Sequence, residues 1–491
     1  MSRDILAEIV AKRKADIERL GTCFGFERPK RTRPLHPFIA KPGTILEVKR
    51  SSPSKGNIAM GLDPVETARK YAEAGTSAIS VLTEGNYFNG SLADILKVAA
   101  AAPNCAILRK DFLLSPEEID VAYDFGADAV LLIARILDAS TLCAMANRAR
   151  ELGMTPFVEV RTEDDLRKLK LVQKDGECVA GVNARDLRNF HIDPLIPAAF
   201  RKELGPRAVF ESGVKEPSDA AFARRLGFEG ILIGEAAAKS PDSAKNLVSA
   251  FLGAEPNGYG KFWKAYAEKR EEIRKNFPGK PLAKICGITN VEDALLAAEL
   301  GANMLGFMFY SKSPRNTNEA DTRKIVQSLK EKFKGQAPLC VGVVADHGTA
   351  EEKTAIALAS EGVLDAVQFH GVAIPAEAES ANIGYYSTVR LQSMSEVEAL
   401  IAASKHSLPR TLIDAYVPDV VGGTGKRIDD ALVDAVRAQE ALWMAGGISP
   451  ENIAEIVKRF EPELVDLSTS LEATHGKKDA DKLRAFFKAI R

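Results

Sequence analysis

The sequence is poor in the features that would classify it quickly. Its six cysteines (Cys23, Cys105, Cys143, Cys178, Cys286 and Cys340) lie far apart and form no CxxC pair, which argues against a thiolate zinc site and a disulfide framework. A reducing cytoplasm is the expected compartment. No stretch approaches the roughly 18 apolar residues of a membrane span. Near the amino terminus Ile5, Leu6, Ile9, Val10, Ile17 and Leu20 recur at helical spacing, as in an amphipathic helix rather than a signal peptide. Neither sign of charge is in excess: 66 basic against 67 acidic residues give no electrostatic case for a nucleic-acid or membrane partner. A Rossmann fingerprint, a Walker loop and clusters of metal-ligand spacing are also missing, so no metal or organic cofactor is expected.

What is present is length and periodicity. At 491 residues the chain exceeds what one hydrophobic core supports, so at least two domains are expected. Short apolar runs alternate with helical patterns from end to end. In the first half they fall at 45–49, 78–83, 106–110, 129–134, 156–160, 179–183, 208–212 and 230–234. In the second they fall at 282–286, 304–309, 339–344, 366–370, 385–390, 411–415, 442–445 and 464–468. Eight strands per half, each followed by a helix, predict an α/β protein of two tandem (β/α)8 TIM barrels. A doubly wound open sheet competes, but it carries about five or six strands and a Gly-rich first turn. Here the first strand runs instead into Arg50, Ser51, Ser52, Pro53 and Ser54. A breaker-rich turn at 253–260 and a charged helical stretch mark 255–281 as a connector between domains 1–254 and 282–491. Phe262, Tyr266, Ile273 and Phe277 give that connector one apolar face.

In such barrels the reacting groups stand at the C-terminal ends of the strands. In the first half this selects Glu47 and Lys49, which share parity and so face the same side, with Ser52 just beyond. It then selects Lys110 after the third strand, Glu159 on the fifth, Asn183 and Arg185 at the sixth, and Glu211 and Ser212 at the seventh. Buried lysines and carboxylates are costly unless paired, so a converging set would leave an acid and a base with shifted pKa values. Asp111 and Asp186, neighbours of Lys110 and Arg185, read as structural. Gly213 after strand seven, and Gly234 and Glu235 after strand eight, would bring backbone N–H groups to an anion.

In the second half Cys286 ends the first strand, with Gly287 following, and Asp414 ends the sixth. A thiolate base and a carboxyl acid flanking one mouth suit an isomerisation in which a proton leaves carbon and another reaches a ring oxygen. Arg315 follows the second strand, offering a guanidinium to a carboxylate or hydroxyl, and His370 closes the fourth. Gly423 and Gly425, Gly446 and Gly447, and Ser468 and Thr469 would form an anion nest after strands six, seven and eight.

The motifs Ile-Leu-Glu-Val-Lys-Arg-Ser-Ser-Pro-Ser-Lys-Gly (45–56), Leu-Arg-Lys-Asp-Phe (108–112), Phe-Val-Glu-Val (157–160), Gly-Val-Asn-Ala-Arg-Asp-Leu (181–187) and Glu-Ser-Gly-Val (211–214) carry a resemblance. Throughout 1–254 the chain resembles the indole-3-glycerol-phosphate synthases, which close an indole ring with loss of carbon dioxide and water. The resemblance implies Lys110 as the general acid at the substrate ketone and Glu159 as an acid/base in the dehydration. It places Lys49 near a carboxylate or phosphate with Glu47 tuning it, and Ser52, Asn183, Arg185, Glu211 and Ser212 around the substrate. The division of labour among Glu47, Lys49 and Glu159 stays open. Glu235 stands where some relatives carry a hydroxyl residue, so its side chain is expected to turn away from the phosphate.

Lys-Ile-Cys-Gly-Ile-Thr, Ser-Pro-Arg, Val-Gln-Phe-His-Gly, Gly-Gly-Thr-Gly and Ala-Gly-Gly-Ile, across 282–491, resemble the phosphoribosylanthranilate isomerases, which perform an Amadori rearrangement. That resemblance implies Cys286 as general base, Asp414 as general acid and Arg315 as the partner of the anthranilate carboxylate. Ser470 replaces a glycine of the last motif and is expected to crowd the phosphate. The expected partners are phosphorylated small molecules, with the protein monomeric or weakly associated. Two rivals fare worse. Other phosphosugar barrels lack the Lys110/Glu159 and Cys286/Asp414 sets, and a degenerate scaffold would not keep an acid and a base in both halves.

Overall fold

A computed structural model describes residues 4–39, 41–52, 56–57, 61–188, 190–404, 409–416, 425–439 and 441–490. The chain divides into two compact units, Met1–Pro256 and Asn257–Arg491. Each holds a closed barrel of eight parallel strands in sequence order.

The first barrel is built from β1 (Gly43–Val48), β2 (Ala78–Leu82), β3 (Ala106–Lys110), β4 (Ala129–Ile133), β5 (Thr155–Val160), β6 (Val179–Asn183), β7 (Ala208–Glu211) and β8 (Gly230–Ile233). β8 closes on β1, pairing Gly43 with Gly230 and Leu46 with Ile233. The strands are buried almost throughout, which is why they read as continuous apolar runs rather than alternating ones. Helices between them start on capping side chains, among them Asp63, Asp138 and Thr162, whose oxygens accept the otherwise unpaired first-turn N–H groups. The expected amino-terminal helix spans Ile5–Leu20 and buries Leu6 and Ile9 in the same apolar cluster as Ile45, Leu108 and Phe112. Its Arg13 is buried against Glu118 at 2.5 Å and Asp111 at 3.0 Å. Asp111 also accepts from Thr83 and Arg109, so this carboxylate ties the helix to the end of the strand that carries Lys110.

The second barrel comprises β9 (Leu282–Cys286), β10 (Met304–Phe309), β11 (Leu339–Val344), β12 (Ala366–His370), β13 (Gly384–Leu391), β14 (Leu412–Ala415), β15 (Trp443–Ala445) and β16 (Leu464–Leu467). All sixteen strands lie within two residues of the runs read from the sequence.

The helix within 255–281, Gly258–Asn276, belongs to this second unit. Asn257 caps it. It buries Tyr259, Phe262, Trp263 and Tyr266, whereas Phe277, expected on the same apolar face, is 47% exposed. Tyr259 packs on Tyr385 with ring centroids 4.5 Å apart, and Tyr266 on Trp443 at 4.6 Å. Glu463, just ahead of β16, fastens the helix. It accepts from Tyr266 Oη at 2.9 Å, Trp443 Nε1 at 3.0 Å, Arg410 Nε at 2.8 Å and Arg270 Nη1 at 3.3 Å.

Removing one partner of a buried charge cluster leaves the others uncompensated, at a cost of about 3–5 kcal/mol. Glu463→Ala is therefore expected to destabilise the second unit by about that much. Both tryptophans of the chain, Trp263 and Trp443, lie in the cluster, so urea unfolding followed by tryptophan emission reports this unit. An unchanged midpoint would refute the anchoring role.

Candidate active sites

In the first unit the sequence-selected residues converge. Glu47, Lys49, Ser52, Lys110, Glu159, Asn183, Arg185, Glu211, Ser212, Gly213, Gly234 and Glu235 all line one cavity of about 340 Å³ at the C-terminal mouth of the barrel. Glu47 sits between two ammonium groups, 2.8 Å from Lys49 Nζ and 3.3 Å from Lys110 Nζ. Burial alone would raise its pKa, but Lys110 and Lys49 together hold it at about 2. Burial alone would likewise lower Lys110, yet Glu47, Glu159 and Glu211 keep it above the usual lysine value. Lys110 is thus a firmly protonated donor at the cavity wall.

Glu159 and Glu211 form a second pair. Burial raises both carboxyls, Glu211 the further because Glu159 stands beside it. Two carboxylates so placed cannot both ionise easily, so the pair favours retaining one proton, with Glu211 raised the further. With that proton in place, two lysines balance Glu47 and the pair. Asn183 donates to Glu159 while its Oδ1 accepts from Arg185 N at 2.9 Å, which fixes the amide orientation. Glu211, expected as a substrate contact, is therefore also half of an acid–base pair. Two glycines leave space for these charges: a Cβ at Gly181 would lie 2.1 Å from Glu211 Oε1, and one at Gly234 would lie 2.8 Å from Glu47 Oε1.

At the anion end Ser212 and Gly213 both adopt left-handed backbone, φ +67° and +82°. Such a conformation costs a serine about 1–2 kcal/mol, and it brings successive residues of the loop to the cavity lining. Glu235, expected to turn away, contributes to that lining.

The second unit gathers Cys286, Arg315, His370, Asp414, Gly425, Gly446, Gly447, Ser468 and Thr469 around a cavity of about 440 Å³. Gly423 lies outside the described residues. Cys286 is buried; burial raises its thiol, while the Lys284 and Lys478 ammonium groups pull it back down. Asp414 is raised by burial, which favours the protonated form a general acid needs. Its Oδ1 accepts from Ala415 N at 2.7 Å and lies where a Cβ on Gly446 would intrude. Gly446 and Gly447 are both left-handed, φ +84° and +63°. Ser470, expected to crowd a phosphate, lines the cavity with Oγ buried and without a hydrogen bond among the described residues.

Two models of known families match in tandem: "Indole-3-glycerol phosphate synthase" over residues 6–249 and "N-(5'phosphoribosyl)anthranilate (PRA) isomerase" over 283–489. The tryptophan biosynthesis protein TrpCF of Yersinia pestis is 30% identical, covering 91% of this chain and 84% of its own. The multifunctional tryptophan biosynthesis protein of Phanerodontia chrysosporium is 32% identical over 92% of this chain, which spans only 63% of that relative's length. An indole-3-glycerol phosphate synthase of Carboxydothermus hydrogenoformans is 43% identical over 42% of the chain and 78% of its own length. The chain belongs to the bifunctional synthase–isomerase family of tryptophan biosynthesis.

Several side chains of the isomerase unit escaped the sequence reading. Lys284, two residues before Cys286 on β9, is buried and ion-paired with Asp466 at 2.5 Å. It donates to Gln368 Oε1 at 2.8 Å, as Tyr386 Oη does at 2.9 Å. The Gln368 amide nitrogen consequently faces Thr388 Oγ1 at 2.9 Å and His370 Nδ1 at 3.2 Å. Nδ1 must then accept, so the His370 proton resides on Nε2, 3.4 Å from Asp414 Oδ2. Burial and Lys284 lower His370 to about 4, leaving it neutral at pH 7. Lys284 and Gln368 belong to motifs that carry the resemblance, but they lie inside their strands rather than at the C-terminal ends where reacting groups are expected. Arg315 differs from expectation in another way: its guanidinium is engaged bidentately by Glu472.

Proposed function

We propose that the isomerase unit converts N-(5-phosphoribosyl)anthranilate to 1-(2-carboxyphenylamino)-1-deoxyribulose 5-phosphate, and that the synthase unit then closes this product to indole-3-glycerol phosphate. The observation that carries the reading is that each family match contains its own cavity lined by an acid and a base. The synthase domain is residues 1–254 and the isomerase barrel 282–491, with the helix inside 255–281 packed as part of the second unit.

In the isomerase, Asp414 protonates the furanose ring oxygen as the C–O bond opens to an iminium. Cys286 thiolate removes the proton from the adjacent sugar carbon, and the resulting enolamine tautomerises to the ketone. Arg315 meets the anthranilate carboxylate, and Gly423, Gly425, Gly446, Gly447, Ser468 and Thr469 hold the phosphate. In the synthase, the carboxylate-bearing ring carbon attacks the ketone while Lys110 protonates the developing alkoxide. Carbon dioxide departs, and the Glu159/Glu211 pair supplies and accepts the protons needed to expel water. Lys49 and Arg185 face the substrate's negative charges, and Ser212, Gly213 and Gly234 receive its phosphate.

No helix among the described residues is long and apolar enough to cross a membrane. We assign the protein to the cytoplasm, acting on phosphorylated small molecules as a monomer or weak oligomer without a nucleic-acid partner. The test uses the purified full chain and the fluorescence of the anthranilate ring. Loss of anthranilate-type emission on adding N-(5-phosphoribosyl)anthranilate, with indole-3-glycerol phosphate as final product, is the expected result. If the carboxyphenylamino ketose accumulates, or no turnover occurs, the corresponding assignment is wrong.

A further inference from the structure

A buried charge cluster sits beside Cys286, and its Arg315–Glu472 ion pair takes no part in the proton transfers. After β16 the chain forms a small antiparallel hairpin, Glu472–Thr474 against Lys477–Lys478. It carries Glu472 onto Arg315, which comes from the loop after β10. Glu472 Oε1 accepts from Arg315 Nε and Oε2 from Nη2, both at 2.7 Å. Lys478 Nζ in turn donates to Glu472 Oε1 at 3.1 Å and to Ser468 O at 3.2 Å. All three charged residues are less than a tenth exposed, at 8%, 6% and 4% for Arg315, Glu472 and Lys478.

The placement is specific. β10 and β16 are the two neighbours of β9, so the ion pair joins the loops on either side of the strand that ends in Cys286. Gly287, at φ +73°, leaves room for the arginine stem, since a Cβ there would lie 2.6 Å from Arg315 Cδ.

Glu472 grips only one edge of the guanidinium. Nη2 also donates to Thr469 Oγ1 at 3.2 Å, whereas Nη1 makes no hydrogen bond among the described residues. Arg315 lines the cavity, so the two N–H donors of Nη1 remain for a carboxylate. Two cations against one carboxylate leave the buried trio positively charged, a state that an incoming anion relieves. Burial would raise Glu472, but Arg315 and Lys478 hold it below the usual carboxylate range, so the grip persists at neutral pH.

We propose that Glu472, braced by Lys478, is a positioning residue for the isomerase: it orients Arg315 so that the Nη1 edge receives the carboxylate of the aromatic ring. The proposal rests on the isomerase reading above. The opposite role, an internal competitor displaced by substrate, would strand the buried Lys478 with only a carbonyl partner. The two roles predict opposite changes in KM.

The experiment measures isomerase kinetics of the full chain with N-(5-phosphoribosyl)anthranilate and with N-(5-phosphoribosyl)aniline, which lacks the carboxylate. Glu472→Gln is expected to raise KM for the first about tenfold with kcat little changed, the pattern of lost binding shared by ground and transition states. It should leave kinetics on the aniline compound as in wild type. Glu472→Asp should recover part of the loss, whereas Lys478→Met, which also removes a charge that favours the Cys286 thiolate, should in addition lower kcat on both compounds. If Glu472→Gln does not fold, Glu472→Asp decides by the same criteria. An unchanged or lowered KM, or equal losses on both compounds, overturns the positioning role. Wild-type chain that fails to turn over N-(5-phosphoribosyl)anthranilate removes the isomerase reading itself, and the positioning role with it.

Discussion

Lys110→Met is expected to lower the synthase kcat/KM by about 10³-fold or more while leaving the isomerase of the same chain unchanged. A donor aimed at a developing oxyanion is worth about 10²–10³ in rate, and general acid catalysis about 10²–10⁴. Lys110 serves as both, so the upper part of that span applies. The loss has a second source. Lys110 is the charge that Glu47, Glu159 and Glu211 all face. Without it Glu47 keeps only Lys49, and the Glu159/Glu211 pair holds its protons more tightly, which weakens it as a base. Methionine preserves the length and packing of the stem, so a loss cannot be ascribed to an empty cavity. Each activity is read by the fluorescence change of its own substrate, and the isomerase serves as the internal control. Retention of more than a tenth of the synthase activity would remove Lys110 from its assigned role.

The converse experiment concerns Cys286. Cys286→Ala is expected to reduce isomerase kcat by about 10³–10⁴-fold, near the upper range for loss of a general base, with ring closure intact. Burial keeps the thiol of Cys286 above its usual pKa, and Lys284 and Lys478 supply the positive charge that makes its thiolate accessible. Serine at this position matches the shape, but its hydroxyl is far too weak an acid to be populated as a base near neutrality. Cys286→Ser should therefore be as inactive as Cys286→Ala. An active serine variant would show that the base lies elsewhere, and Asp466, ion-paired with Lys284 nearby, would be the first group to examine.

The sequence carried most of the architecture because parallel barrel strands are buried on both faces. AISVL, AVLLI and LCVGVV stand out as runs wherever a capped helix precedes or follows. Residues at strand ends, such as Lys110, Glu211, Cys286 and Asp414, were legible for the same reason: position along the strand translates directly into position at the mouth. The same filter hid Lys284 and Gln368, which are polar inside their strands yet belong to the network around the isomerase cavity. Glu472 and Lys478 lie in a hairpin too short to leave a periodic signature, and their partner Arg315 is 157 residues from Glu472. The raised carboxyls of Glu159 and Glu211 were hidden because they depend on burial and mutual approach, neither of which a linear spacing encodes.

The helix anchored by Glu463 bears on where the two enzymes can be parted. Strand counting puts the start of the isomerase at Leu282, but the aromatic wall of Tyr385, Tyr386 and Trp443 is completed by side chains from Tyr259 to Tyr266. A gene cut at Leu282 would deliver eight strands with that wall bare to water and Glu463 deprived of Tyr266 and Arg270. The natural seam runs between Pro256 and Asn257, and an isomerase carried on its own piece of chain has to bring its leading helix with it.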